Sequence, residues 1–196
     1  MTGVRQARRA EIKQTLSQYA IKLFLKNGFD QTTVDEIVEL AGVSRRTFFR
    51  HFDTKEDLVF VWYEDLGHEI VAECLARPQD EAPFASACAA LRSLLKYYES
   101  DPAWADSMMK LSTATPGLIA KGLEKRLLWE AGLAEALAPR FAGADADLKA
   151  RLAASAAVQS FALAVAFWFD GKSAVALHDT VDAAFSFASK LDVSSG

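Results

Sequence analysis

The sequence predicts an all-α fold of about nine helices, and three observations carry that expectation. Thirty-five of the 196 residues are alanine, the strongest helix former. Apolar residues recur at three- and four-residue steps from early in the chain. Nowhere does a period-two alternation run long enough for a strand. The hydrophobic fraction of 51% belongs to a chain that buries a core, which excludes disorder. Two cysteines are too few for a disulfide framework. The opening Met1-Thr2-Gly3-Val4-Arg5-Gln6 has no apolar core segment, so a cytoplasmic protein is expected.

Ile12, Leu16, Tyr19, Leu23 and Phe24 form the apolar stripe of a first helix over about 7–26. Asn27-Gly28 ends it, with Gly28 suited to a left-handed cap. Thr33 stands three residues before Glu36, a capping box for a second helix with Val34, Ile37, Val38 and Ala41 inward. Gly42 breaks that helix, and Ser44 is a good N-cap for a third over 45–52. Thr54 is expected to cap a fourth over about 55–76, with Glu56 and Asp57 at its positive end. Further helices are expected over about 84–99, 103–112, 117–141, 147–170 and 173–191. Pro102, Pro116 and the neighbourhoods of Gly143 and Gly171 separate them. The expected domains are 1–54, which holds the first three helices, and 55–196, a helical body that opens with the fourth.

The charge is unevenly spread. Residues 1–52 hold nine basic and five acidic side chains, a balance of +4, and residues 53–196 hold thirteen and twenty-one, a balance of −8. A basic end on an acidic body suits contact with a polyanion. Within that end, two short helices joined by Gly42-Val43-Ser44 have helix-turn-helix spacing. Val43 is placed to plug the crevice between them. Phe48 and Phe52, four apart, are expected inward, which turns Arg45, Arg46, Thr47, Phe49, Arg50 and His51 outward. A helix of that kind fits the major groove, where Arg reads guanine and Thr meets a phosphate or a thymine methyl.

These stretches resemble the TetR family of transcriptional regulators. The resemblance is carried by Gly28-Phe29, Thr32-Thr33-Val34-Asp35-Glu36-Ile37, Ala41-Gly42-Val43-Ser44, Thr47-Phe48-Phe49-Arg50-His51-Phe52 and Lys55-Glu56-Asp57-Leu58. It covers about the first 60 residues. It implies a ligand-responsive regulator, most often a repressor, that binds a pseudo-palindromic DNA operator as a homodimer. It also implies roles for Thr33 on a phosphate, for Val43, Ser44, Arg45, Arg46 and Thr47 at the DNA, for Phe49, Arg50 and His51 on backbone or bases, and for Lys55 on a phosphate. The family commonly has tyrosine where this chain has Phe49, so the hydroxyl that bonds a phosphate is absent. Arg5, Arg8 and Arg9 either add an arm to the DNA or form a terminus that only aids solubility.

The body carries two further expectations. Residues 152–169 are uncharged and interrupted by Ser155, Gln159 and Ser160, which suits a buried interface helix better than a membrane span. Helices without a polar face need covering all round. Ala162 and Ala166 there, with Phe185 and Ala188 on the last helix, are the expected dimer seam; Val181 belongs with them, and a monomer with a central core helix is the alternative. The family pairs through its last two helices. Leu66, Ile70, Trp104, Met108, Trp129 and Phe161 are the expected lining of a pocket for a small apolar or amphipathic effector, with plain core packing as the alternative. A redox sensor using Cys74 and Cys88 is a competing reading, although Glu73 beside Cys74 disfavours a reactive thiolate. His68 and His178 lie in no catalytic or metal spacing, so no enzyme, metal or cofactor is expected.

Overall fold

The computed structural model describes residues 2–190, and the side chains of residues 7–190. The side chain of Arg5 and the expected helix end at Leu191 therefore lie outside the described residues. The described residues form α1 (Thr2–Asn27), α2 (Val34–Leu40), α3 (Arg45–His51), a 3-10 turn (Glu56–Phe60), α4 (Val61–Ala76), α5 (Pro83–Arg92), α6 (Leu95–Ser100), α7 (Pro102–Ser112), α8 (Pro116–Leu137), a second 3-10 turn (Ala138–Arg140), α9 (Ala146–Phe169) and α10 (Leu177–Ser189). No strand occurs among the described residues.

The departures from expectation are local. The single helix expected over 84–99 breaks at Ser93 and Leu94 into α5 and α6. The fourth helix opens as a 3-10 turn, so its α-helical part is 16 residues long. Thr54 does not cap it. Asp57 reaches back instead, its Oδ2 accepting from the Asp53 and Thr54 backbone N–H groups (3.1 and 3.0 Å) and from Thr54 Oγ1. Burial opposes charge on Asp57, but these bonds and Lys121 hold its carboxyl below the usual range.

The chain divides into two compact units, and the division falls within α4, α7 and α8 rather than at Lys55. The first unit is Met1–Asp65 with Ser107–Lys125. Leu16, Ala20 and Phe24 of α1, Ile37 and Val38 of α2, Phe48 of α3 and Leu58, Val59 and Phe60 of the 3-10 turn close its core. Met108, Leu111 and Leu118 complete that core. Ser17 Oγ, buried, donates to the Leu58 carbonyl at 2.6 Å. Lys121 bridges Asp57 (3.0 Å) and Glu124 (2.9 Å). Residues far apart in sequence thus belong to the helix-turn-helix unit because their apolar side chains fill its floor.

The second unit is Leu66–Asp106 with Arg126–Gly196. α9 packs against α5 and α10. Its inward face is Ala150, Ala154, Ala157, Val158, Phe161, Ala164 and Val165. Small alanines let helix backbones approach closely. α9 is long and apolar enough to cross a membrane, and only 33% of its most apolar window is buried. Its uncovered face bears Leu148, Leu152, Leu163 and Phe167, with Leu163 69% exposed. Arg140 closes one end of the unit, donating to the carbonyls of Cys74, Arg77 and Pro78 and to Ser86 Oγ. It adds a charged donor to carbonyls at and just beyond the end of α4, of which Cys74 and Pro78 also accept from the Arg77 and Glu81 backbone N–H groups.

Candidate nucleic-acid interface

The recognition surface is built on two short helices with well-defined starts. Thr33 Oγ1 accepts from the Glu36 backbone N–H (3.2 Å), and Glu36 Oε2 accepts from the Thr33 N–H (2.7 Å), so both halves of the capping box are formed. The Thr33 N–H and, behind it, the Thr33 hydroxyl, which donates to Glu36 Oε2 at 2.8 Å, hold the Glu36 carboxyl below the usual range. Ala41 and Gly42 end α2, and Gly42 has φ +66°, a conformation that a Cβ would strain. Val43 is half-buried against the core. Ser44 Oγ then accepts from the Thr47 N–H at 3.1 Å and starts α3.

One face of α3 is fully anchored. Phe48 is 0% exposed and meets Phe52 at 5.6 Å between ring centroids. Phe52 leaves the helix as its extended C-cap. The opposite face is exposed at Arg45, Arg46, Phe49 and Arg50, with Thr47 half-buried. Arg45 pairs with Asp35 of α2 at 3.0 Å. That pair is about 60% exposed on both sides and is screened by solvent. Phe49, 52% exposed, stands edge-on to Phe48 and lies beneath Arg45, whose guanidinium is 6.0 Å from its ring centre. The ring offers an apolar surface where the family's hydroxyl would have offered a donor.

His51 is half-buried, and its Nδ1 has no hydrogen-bond partner. Its Nε2 lies 3.5 Å from Arg50 Nη2. Burial, and behind it the charges of Arg50, Arg9 and Lys13, pushes the imidazole below the usual histidine range. Lys55 is placed differently from expectation. Its Nζ donates to the carbonyls of Phe29 (2.7 Å) and Thr32 (3.1 Å), which ties the half-buried side chain to the turn before α2.

The other expected sites separate. Leu66, Ile70, Trp129 and Phe161 are core residues of the second unit, each 5% exposed or less, while Trp104 is 36% exposed. Met108 belongs to the core of the first unit, which corrects its place in the pocket set. An apolar groove does open in the second unit, between His68, Val71, Ala72 and Leu75 of α4 and Gly132, Glu135 and Ala136 of α8, with a volume of about 530 Å³. Sequence reasoning missed it because its lining mixes small, polar and apolar residues from two helices far apart in the chain. Ala162 is half-buried, Ala166 exposed and Ala188 half-buried. Phe185 is a correction: with Leu177 and Val181 it forms the buried stripe of α10, and Phe187, 70% exposed, takes the outer face. Two residues along a helix is a turn of about 200°, so the two phenylalanines point to opposite sides. Cys74 and Cys88 are buried thiols. Burial pushes Cys74 up, and Cys88 up to about 12, which keeps both from the thiolate form that redox chemistry needs.

Residues 18–61 match the family described as bacterial regulatory proteins, tetR family. Residues 81–190 match the family described as the MftR C-terminal domain. The chain is 34% identical over 151 residues to the HTH-type transcriptional regulator TcmR of Streptomyces glaucescens, covering 74% of this chain and 66% of TcmR. It is 28% identical over 180 residues to MftR of Mycobacterium tuberculosis, covering 91% of this chain and 89% of MftR. Among solved structures it is similar to Thermus thermophilus FadR, a TetR-family transcriptional repressor in complex with lauroyl-CoA. That likeness has a TM-score of 0.61 at 20% identity and covers 94% of this chain and 97% of FadR.

Proposed function

Because this chain belongs to the TetR family of bacterial transcriptional regulators, we propose that it is a repressor that grips a pseudo-palindromic operator as a homodimer and releases it when a small apolar or amphipathic effector binds. The observation that carries the reading is the two-sidedness of α3. Phe48 is sealed in the core while Arg45, Arg46, Phe49 and Arg50 are exposed on the other side. Such a helix presents base-reading and phosphate-binding groups with a fixed orientation. The protein works in the cytoplasm by binding, without turnover.

The uncovered face of α9 supports the dimer. Leu148, Leu152, Leu163 and Phe167 recur at helical spacing and are 48–69% exposed. An apolar stripe of that kind marks an interaction surface. Phe187 of α10 adds to it. The apolar groove between α4 and α8 supports an apolar effector. The lauroyl-CoA held by Thermus FadR makes a fatty-acyl thioester the first compound to test. α4 belongs to both units, so a shift of its second-unit half is the route by which an effector would disturb the DNA-binding half.

Selection of bound duplexes from a random pool, followed by footprinting, tests the reading. The expected result is a two-fold symmetric site whose half-sites are separated by about one helical turn or a multiple of it. Effector affinity measured with and without saturating operator then tests the coupling. A coupling of about 1–3 kcal/mol lowers each affinity by roughly 5–150-fold, and by the same factor in both directions. Equal affinities would remove the groove from the regulatory scheme.

A further inference from the structure

α1 begins at Thr2, so Arg8 and Arg9 stand on a helix and not on a loose arm. They form one wall of an open groove whose other wall is the turn at Gly42 and, on α3, Arg50 and His51. Arg9 and Lys13 are close enough to act on the His51 imidazole across that groove. Lys13 has a carboxylate partner, Glu64 at 3.2 Å, and Arg45 has Asp35. Among the described residues Arg8, Arg9 and Arg50 take part in no ion pair. Cations gathered without a counter-charge repel one another, and an anion seated among them removes that cost. Arg50 belongs to both this groove and the exposed face of α3. An anion there is therefore adjacent to any DNA that α3 reads.

We propose that this groove seats a backbone phosphate of the bound DNA, held by Arg8 and Arg9 from α1 and by Arg50 from α3. The proposal rests on the reading of α3 as the DNA-binding helix and extends the interface to a second element. Its function is positional. Phosphate contacts carry no sequence information but fix the orientation of a recognition helix on the duplex. A contact on the flank of α3 restrains rotation about its own axis, which the exposed side chains of a seven-residue helix cannot do alone. The Ser44 and Thr47 hydroxyls also line the groove, 3.0 Å apart and bonded to each other, and the one that accepts keeps its own O–H to donate to the same anion.

The test uses a short mixed-sequence duplex, whose affinity is followed by fluorescence anisotropy through a salt series. The proteins are the full chain, R8A/R9A, the charge-retaining R8K/R9K, and K149A/K172A. The last removes the same charge from the second unit, where Lys149 pairs with Asp145 and Lys172 with Asp170. The slope of log affinity against log salt is expected to fall by about 0.9 for each phosphate that R8A/R9A no longer neutralises. R8K/R9K and K149A/K172A are expected to keep the wild-type slope. Arg8 and Arg9 are exposed, so helicity and the urea midpoint should stay unchanged. An unchanged slope in R8A/R9A overturns the phosphate seat, and so does an equal fall in K149A/K172A, which would assign the effect to net charge. No affinity of the wild-type chain for any duplex would overturn the reading of α3 itself.

Discussion

The Lys55 ammonium donates to the Phe29 carbonyl at 2.7 Å and lies 4.3 Å from the centre of the Phe29 ring. One cation thus closes the turn between α1 and α2 through a charge-assisted hydrogen bond and a ring contact. Thr32 supplies a second carbonyl at 3.1 Å. Lys55→Met, which keeps the apolar stem, is expected to cost about 1.5–3 kcal/mol of stability. Urea unfolding measures it. If stability holds and affinity for every DNA sequence falls instead, the residue is a phosphate ligand after all.

Arg45 and Arg46 are both exposed on α3. Alanine at either position is expected to cost about 1–3 kcal/mol on the selected operator and to relax preference at one base pair. Affinity for mixed-sequence DNA should fall less. Arg45 first has to release Asp35, so D35N is expected to strengthen binding modestly. Competition between operator and mixed duplex reads both effects, and an operator preference intact in both arginine variants would refute the assignment of α3.

His51 predicts a pH dependence with a definite sign. Its imidazole is held below the ordinary histidine range by burial, Arg50, Arg9 and Lys13. A group depressed in this way contributes stability above its unfolded pKa, and that contribution is lost as pH falls through about 6.5 toward the folded value. A phosphate placed near those cations favours the protonated ring. DNA binding is then expected to take up a proton and to tighten as pH drops from about 8 to about 6. His51→Gln should flatten both profiles. Anisotropy and urea titrations across that range check the pair of effects, and a flat wild-type affinity profile would contradict the proton uptake.

Leu163 on α9 and Phe187 on α10 are 69% and 70% exposed, and Phe185 is 8% exposed. Leu163→Glu or Phe187→Glu is expected to convert a dimer to a monomer with helicity retained. Phe185→Ala should instead cost about 3–5 kcal/mol of folding stability through the cavity it leaves. Light scattering with circular dichroism separates the outcomes. A dimer that survives both glutamate variants would place the interface elsewhere.

Gly67 of α4 lies against Trp129 of α8 so closely that a Cβ there would be 2.9 Å from the indole Cδ1. Trp129 is 5% exposed and its rigid ring has little room to retreat. Gly67→Ala gains up to about 1 kcal/mol of helix propensity and incurs about 1–3 kcal/mol of overpacking. The expected result is a net destabilisation, relieved in G67A/W129F. A double-mutant cycle by chemical denaturation measures the coupling, and additive effects would show that the two helices part freely.

Much of the DNA-binding half is legible in the linear chain because its signals are local. The Thr33–Glu36 capping box, the left-handed turns at Gly28 and Gly42 and the Ser44 cap each act within a few residues, and all are formed. The inward pair Phe48 and Phe52 follows from a four-residue spacing, as does the exposure of Arg45, Arg46, Phe49 and Arg50, whereas Thr47 and His51, also expected outward, are half-buried. Thr54 and Lys55 take partners other than those their sequence positions suggest. The same residue types serve either as caps and phosphate ligands or as partners to nearby backbone. Only the position of Asp57 and of the Phe29–Thr32 turn decides between those uses.

The sequence by itself determined the helical class, the caps and turns of α2 and α3 and the inward Phe48–Phe52 edge of α3, since periodicity and capping depend on neighbours along the chain. The tertiary structure decided what periodicity cannot encode. It assigned Met108 and Leu118 to the floor of the helix-turn-helix unit, turned Phe185 inward and Phe187 outward, and gathered Arg8, Arg9 and Arg50 around one groove. An apolar or cationic side chain has the same local signature whether it fills a core, lines a groove or faces a second subunit. Its role depends on which distant helix lies opposite, and that depends on how whole helices pack to exclude water.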